Sequence, residues 1–325
     1  MESKDLRVVE CYDLPENPDL NTVYKMLPKN PDEAFYKERT DRNIGWITPE
    51  EQQIVKNSVV GVAACGGIGG SLNERLLRLG IGEIRIADGE SFDISNINRQ
   101  FAATRSTVGK NKALETARFL RRITDDSTIV VFPQGIAADT VKDFVSGCDI
   151  ICDEIEFFEI NAAIMLHKEA RVARIPILGC NTVGFGAHLF LFTSSSMTIE
   201  EVLGLKPEEA EEIDRARRSG TISEEKLEEI VERLILCVAP EAQEYCIDGR
   251  NANLKVCRRR LLKEGKAPII TTNPAFATGF IADWTLLYLL RNSGLKRDIV
   301  EIPEMPGYLY LDAAKMQAKV VTKKR

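Results

Sequence analysis

Short apolar runs alternate with longer segments in which apolar residues recur every three or four positions. The runs opening at Val59, Glu83 to Ala87, Thr128 to Phe132, Asp149 to Cys152 and Pro176 to Leu178 read as strands. Between them, Ile68, Leu72, Leu76 and Leu79 form one helical stripe that stops at Gly80. Ala113, Ala117 and Leu120 form a second within Gly109 to Ile123, and a third helix runs from about Phe158 to Ala173. Thr48, Pro49 and Glu51 spell a helix start with a capping box. Strands alternating with helices imply right-handed crossovers and a parallel sheet covered on both faces. Phe185 to Phe192 reads as a further strand, Ala275 to Leu290 as a core helix, and short strands are expected around Val300 to Ile302, Gly307 to Leu311 and Ala318 to Val321. The expected fold is α/β: a Rossmann-like, largely parallel, doubly wound sheet with a helical insertion and a C-terminal antiparallel portion.

Composition divides this pattern into four stretches. Residues 1–44 are polar and proline-rich with weak periodicity, and read as an irregular arm; residues 45–192 carry the nucleotide-binding pattern. Residues 193–267 are charged and helical, with an apolar stripe at Leu227, Ile230 and Leu234; residues 268–325 complete the core. A net charge of −6 and a pI near 5.3 argue against a broad nucleic-acid or anionic-membrane surface, so no DNA is expected as a partner. Ala275 to Leu290 is shorter than a membrane span and contains Asp283, and the N-terminus lacks an apolar leader; no membrane is expected, and a cytoplasmic location is. The eight cysteines form no C-x-x-C pair and there are only two histidines, His167 and His188, so zinc-ligand spacing is absent. Cys180 is expected at a strand end facing a crevice, and both histidines read as packing residues.

The chemistry concentrates after the first of the parallel strands. Gly66, Gly67, Gly69 and Gly70 follow it and open a helix, and Asp88 stands at the end of the next strand, 19 residues past Gly69. Glycines let backbone amides approach an anion, the helix N-terminus points N–H groups and dipole at it, and the acid can accept from ribose hydroxyls. Ala64 occupies the usual first glycine of the turn. Asn96, Arg99 and Gln100 come next, and Lys112 follows. A dinucleotide site has no need of such a cluster. An enzyme that adenylates does, because it must hold a triphosphate and steady charge on the α-phosphorus. The strand ends bearing Gly66, Asp88, Asp153 with Glu156, and Cys180 with Asn181 are expected to converge on one crevice.

With its glycine turn, the acid after the second strand, the N-x-x-R-Q segment and the following lysine, the chain resembles the ThiF/MoeB/HesA family, bacterial relatives of ubiquitin-activating enzymes. It resembles a branch without the zinc C-x-x-C pairs. The resemblance implies an ATP-dependent adenylyltransferase that activates a substrate carboxylate as an acyl-adenylate and releases pyrophosphate. It implies phosphate contacts from Gly66, Gly67 and Gly69, ribose contact from Asp88, and triphosphate contacts from Asn96, Arg99, Gln100 and Lys112. The family's magnesium aspartate falls on Glu156, with Asp153 beside it. Arg39 and Arg42 match an R-x-x-R segment whose second arginine reaches the partner protomer's ATP site, which implies a homodimer. The carboxylate can belong to a small carrier protein, a peptide or a small molecule. Two alternatives stand beside this reading. One is an NAD(P)-dependent oxidoreductase on the same βαβ unit; the other is a catalytically silent relative that binds a peptide or protein, kept open by Ala64 and Glu156.

Overall fold

The computed structural model describes residues 7–29, 31–156, 159–219 and 268–322, with a few isolated positions between 220 and 267. One ten-stranded sheet organises them. Its parallel centre runs β5 (Thr128–Phe132), β4 (Glu83–Ala87), β3 (Val59–Ala63), β6 (Ile150–Asp153), β7 (Ile177–Val183). Antiparallel strands β8 (Gly186–Phe192), β9 (Tyr308–Asp312) and β10 (Gln317–Val321) extend it beyond β7.

The period-2 geometry of the strands separates two cores. Val60, Val62, Ile84, Ile86, Ile150 and Cys152 face α3 (Gly67–Leu79), α4 (Lys112–Arg121) and α9 (Thr272–Leu289). Ala63, Ala87, Phe132 and Ile151 face α5 (Val141–Val145) and α6 (Ile160–Ala173). The sheet is therefore covered on both faces. At β3 the opposite face is tight: a Cβ on Gly61 would stand 3.0 Å from the Phe144 ring. Helix α2 (Pro49–Asn57) precedes β3 and starts on the capping box of Thr48 and Glu51.

Three expectations change. The first stretch is not irregular: β1 (Val8–Cys11) and β2 (Val23–Met26) join the same sheet, β2 antiparallel to β5, and α1 (Glu33–Thr40) follows. Four-residue strands are too short to declare a period, and burial of Val23, Tyr24 and Met26 is what holds β2. Val300 to Ile302 is not a strand; the segment makes only a bridge from Glu304 to Leu191. β7 continues through Asn181 and Thr182 to Val183, because its hairpin partner β8 supplies the ladder that their polarity hides. In the charged stretch, α7 (Ile199–Leu203) and α8 (Pro207–Arg218) pack Leu203, Ala210 and Ile213 onto Ile160 and Ile164 of α6. The stripe at Leu227, Ile230 and Leu234 lies outside the described residues, as do Cys237, Cys246 and Cys257. Among the described residues, no helix is long and apolar enough to cross a membrane.

Candidate active site

Strand order reverses at β3: the chain proceeds to β4 and β5 on one side, and to β6 and β7 on the other. Open α/β sheets bind ligands outside the carboxyl ends of the strands at such a point. Ala63 pairs with both Ala87 and Asp153, so the glycine turn, Asp88 and the segment after Asp153 leave from one edge.

The turn is built around two backbone constraints. Ala64 holds φ at +78°, a left-handed conformation that costs a residue with a Cβ on the order of 1 kcal/mol. It is fixed there by its N–H to the Ala87 carbonyl at 2.7 Å and by the Cys65 N–H to Asp88 Oδ2 at 2.7 Å. A Cβ on Gly69 would stand 2.0 Å from the Ala64 carbonyl oxygen, so only glycine fits. The N-terminus of α3 has no side-chain cap and no acidic residue in its first turn. Its leading N–H groups and dipole are thus left for an anion.

Asp88 is buried and accepts N–H bonds from Cys65 and from Glu90, the latter at 2.8 Å. Burial raises its carboxyl above the ordinary value, while Lys112 and these two N–H groups oppose the rise. Asn111 caps α4 and donates to the Asp88 and Pro133 carbonyls, which sets Lys112 at the start of the helix beside Asp88. Lys112 Nζ lies 2.5 Å from Glu90 Oε2. Burial pulls the ammonium down, but Asp88 and Glu90 outweigh it and hold Lys112 above the ordinary lysine value. Arg99 packs along the glycine turn, its Cγ 3.7 Å from where a Gly67 Cβ would be, and donates to Asn98 Oδ1 and the Ser95 carbonyl. Burial lowers its pKa, and the charge of Glu156 works in the other direction. Asn96 is turned inward: its Oδ1 accepts from the Asp93 N–H in a capping box, which is a structural duty. Gln100 is buried, and its Oε1 meets no donor among the described residues.

The acidic segment differs from expectation. Asp153 points to the α6 side, with Oδ2 2.8 Å from His167 Nε2 and Oδ1 accepting the Ile155 N–H. His167, expected as mere packing, thus anchors Asp153 while its ring meets Phe192 edge-on. Glu154 escaped notice, yet period-2 alternation from Cys152 puts it on the glycine-turn face. Its Cβ is 3.3 Å from the virtual Gly69 Cβ, and its Oε1 accepts the Cys180 N–H at 3.2 Å. Burial, aided by Asp153, pushes its carboxyl well above the usual range. Cys180 does not face an open crevice. It is 1% exposed, its Sγ is directed at the Ala277 carbonyl, and burial raises its thiol pKa well above ordinary. The Cys148 and Cys152 thiols are likewise pushed up by burial, to about 12. None of these described thiols is an activated nucleophile. No cluster of three metal-ligating side chains occurs among the described residues.

Helix α9 closes one side. Pro274 Cγ lies 2.9 Å from the virtual Gly67 Cβ, and Thr271 Oγ1 donates to the Asn98 carbonyl at 2.6 Å. Arg42 stands apart. It is exposed, and the neighbouring Asn43 donates to the Leu79 carbonyl at the far end of α3, roughly 18–20 Å of helix from the glycine turn. Arg39 is structural, bonded to Asp126 at 2.6 Å and to the Leu77 carbonyl.

Comparison with known proteins agrees with this fold. The profile of the ThiF family matches residues 40–325. A tRNA threonylcarbamoyladenosine dehydratase of Bacillus subtilis is 32% identical over 138 residues, 42% of this chain and 54% of that protein. The sulfur carrier protein ThiS adenylyltransferase of Escherichia coli is 26% identical over 151 residues, 45% of this chain and 58% of that protein. The chain thus spans a little over half the length of these curated relatives. The crystal structure of E. coli MccB with ATP superposes with a TM-score of 0.58 at 17% identity, covering 92% of this chain and 74% of that one. PaaA gives 0.58 at 16% identity, covering 90% and 75%; both show the same fold.

Proposed function

The chain belongs to the ThiF family, and from that premise we propose that it is an ATP-dependent adenylyltransferase acting on a substrate carboxylate. The observation that carries the reading is the setting of Lys112 and Arg99 against the uncapped N-terminus of α3. The α3 amides take phosphate oxygens, and Asp88 takes the ribose hydroxyls on the lone pairs that its two N–H bonds leave. A substrate carboxylate attacks the α-phosphorus, the bond to the β-phosphate oxygen breaks, and pyrophosphate leaves. Lys112 and Arg99 stabilise the negative charge that gathers on the phosphates. Lys112 exchanges its contact with Glu90 for a phosphate oxygen in doing so. Asn96 shapes the loop that presents Arg99. Magnesium, which would neutralise phosphate charge, would be held by Glu156, whose charge acts on Arg99, together with phosphate oxygens, since Asp153 is directed at His167 on α6.

Relatives bear on the substrate class: one is named for activating the sulfur carrier protein ThiS, and MccB has been crystallised with MccA. The carboxylate is accordingly assigned to a small carrier protein or peptide, and the site to the cytoplasm. Arg42 cannot reach the glycine turn of its own chain around the length of α3, so its role belongs to a homodimer in which it completes the partner's site. Calorimetric titration with ATP and magnesium tests the reading. ATP is expected to bind, and Lys112→Ala to weaken it at least tenfold. Tight NADH binding with no response to ATP would replace it with the oxidoreductase reading.

A further inference from the structure

A second concave surface lies outside the crevice. A cavity of about 540 Å³ opens between α4, the loop at 104–110 and the N-terminal arm. Leu14 and Met26 in its lining come from the N-terminal arm, ahead of residue 40 where the family match begins. This arm is fastened to α4. Arg118 donates to the Pro15 carbonyl at 2.8 Å, and Arg121 donates to the Met26 and Leu27 carbonyls at 3.2 Å each. The groove is therefore held in shape by named bonds.

Its charge runs against that of the molecule. The two acids in the lining are spoken for, Asp13 by Lys29 at 2.5 Å and Glu115 by Arg118. Lys110 and Arg122 make no ion pair among the described residues. Arg122 lies 4.0 Å over the Phe119 ring, which keeps its guanidinium at the surface with an apolar platform beneath. Two uncompensated cations beside Leu14 and Phe119 make a mixed lining in a chain of net charge −6.

We propose that this groove docks an extended acidic and apolar segment of the polypeptide whose carboxylate is adenylated. Alternate side chains of an extended segment point to opposite sides, so one set can meet Lys110 and Arg122 while the other meets the half-buried Leu14 and Phe119. A bare phosphate would leave the apolar half unused. The groove runs along α4, whose first residue is Lys112, so about 15 Å of helix separates its far end from the crevice. Roughly five extended residues cover that distance. The identity of the docked chain as substrate rests on the adenylation reading; the groove's preference for an acidic segment does not.

Fluorescence anisotropy with the full chain and a fluorescein-labelled hexapeptide of alternating glutamate and leucine tests this. Binding is expected, weakened at least tenfold by Lys110→Glu with Arg122→Glu and by Leu14→Asp, and absent for the lysine and leucine counterpart. ATP affinity, measured in parallel, is expected to be the same in wild type and variants, which shows that they fold. No binding of the acidic peptide, binding indifferent to these substitutions, or its displacement by inorganic pyrophosphate overturns the proposal. Failure of the wild-type chain to bind ATP, with the peptide results intact, would instead remove the adenylation reading and leave the groove standing.

Discussion

Ala64 holds a left-handed backbone with a methyl group attached, and Gly69 lets the helix start against the Ala64 carbonyl only because it lacks one. Ala64→Gly removes the Cβ strain and is expected to raise stability by about 1 kcal/mol in chemical denaturation, less what the more flexible unfolded chain takes back. Gly69→Ala, with its Cβ at 2.0 Å from that oxygen, must displace the turn and is expected to cost about 3 kcal/mol or more and abolish ATP binding. At Lys112 the expected loss is in rate. Lys112→Ala should lower acyl-adenylate formation about a hundredfold or more, the scale for one preorganised donor, and lower thermal stability as well, because it strips the buried Asp88 of its cation. An unchanged rate would remove Lys112 from the triphosphate. These residues were legible in the chain because glycine, lysine and arginine spacing encodes local chemistry. His167 and Glu154 were not. One acts through a tertiary contact with Asp153, and the other shows its face only once β6 has a register.

Among the elements, α2 is tied to the segment after α9 by one carboxylate. Glu51 is 1% exposed and accepts from Arg297 at 2.6 Å, from Ser293 at 2.6 Å and from the Thr48 N–H at 3.0 Å. The Arg297 contact leads in holding its pKa down, from 4.5 to about 2. A depressed acid contributes stability that is present above its unfolded value and lost as protons bind. The contribution is therefore full above pH 4.5 and disappears as pH falls towards 2. With Arg297 partly solvated, about 2 kcal/mol is expected. Glu51→Gln keeps the helix cap and should flatten the acid limb of a stability profile between pH 5 and 2; an unaltered limb would contradict the assignment. The capping box was plain in the sequence, since Thr48 and Glu51 are three residues apart. Its second duty was hidden by a separation of 246 residues. The same cause hid β2, whose partner β5 lies about a hundred residues away, and with it β1, which among the described residues pairs only with β2, and it left the loop before Glu304 looking like a strand.

At the scale of the whole molecule, a sheet reversed at β3 places the glycine turn, Asp88 and the acidic segment after Asp153 on one edge, while Arg42 stands at the other end of α3. A trans arginine that completes charge stabilisation contributes on the order of 10³–10⁵ in rate. Mixing Arg42→Ala chains with Lys112→Ala chains should restore part of the activity lost in each parent, because one site of the mixed dimer is then intact. No recovery, with subunit exchange demonstrated, would return Arg42 to a surface role worth under about 1 kcal/mol. Whether the glycine turn is a triphosphate site is decided by a crystal soaked with ATP and magnesium. Phosphate oxygens are expected on the amides that open α3, with the chain of phosphates leading to Lys112 and Arg99 and the ribose hydroxyls on Asp88. A nicotinamide dinucleotide retained at the turn, or ATP bound with its phosphates turned away from Lys112, would contradict it.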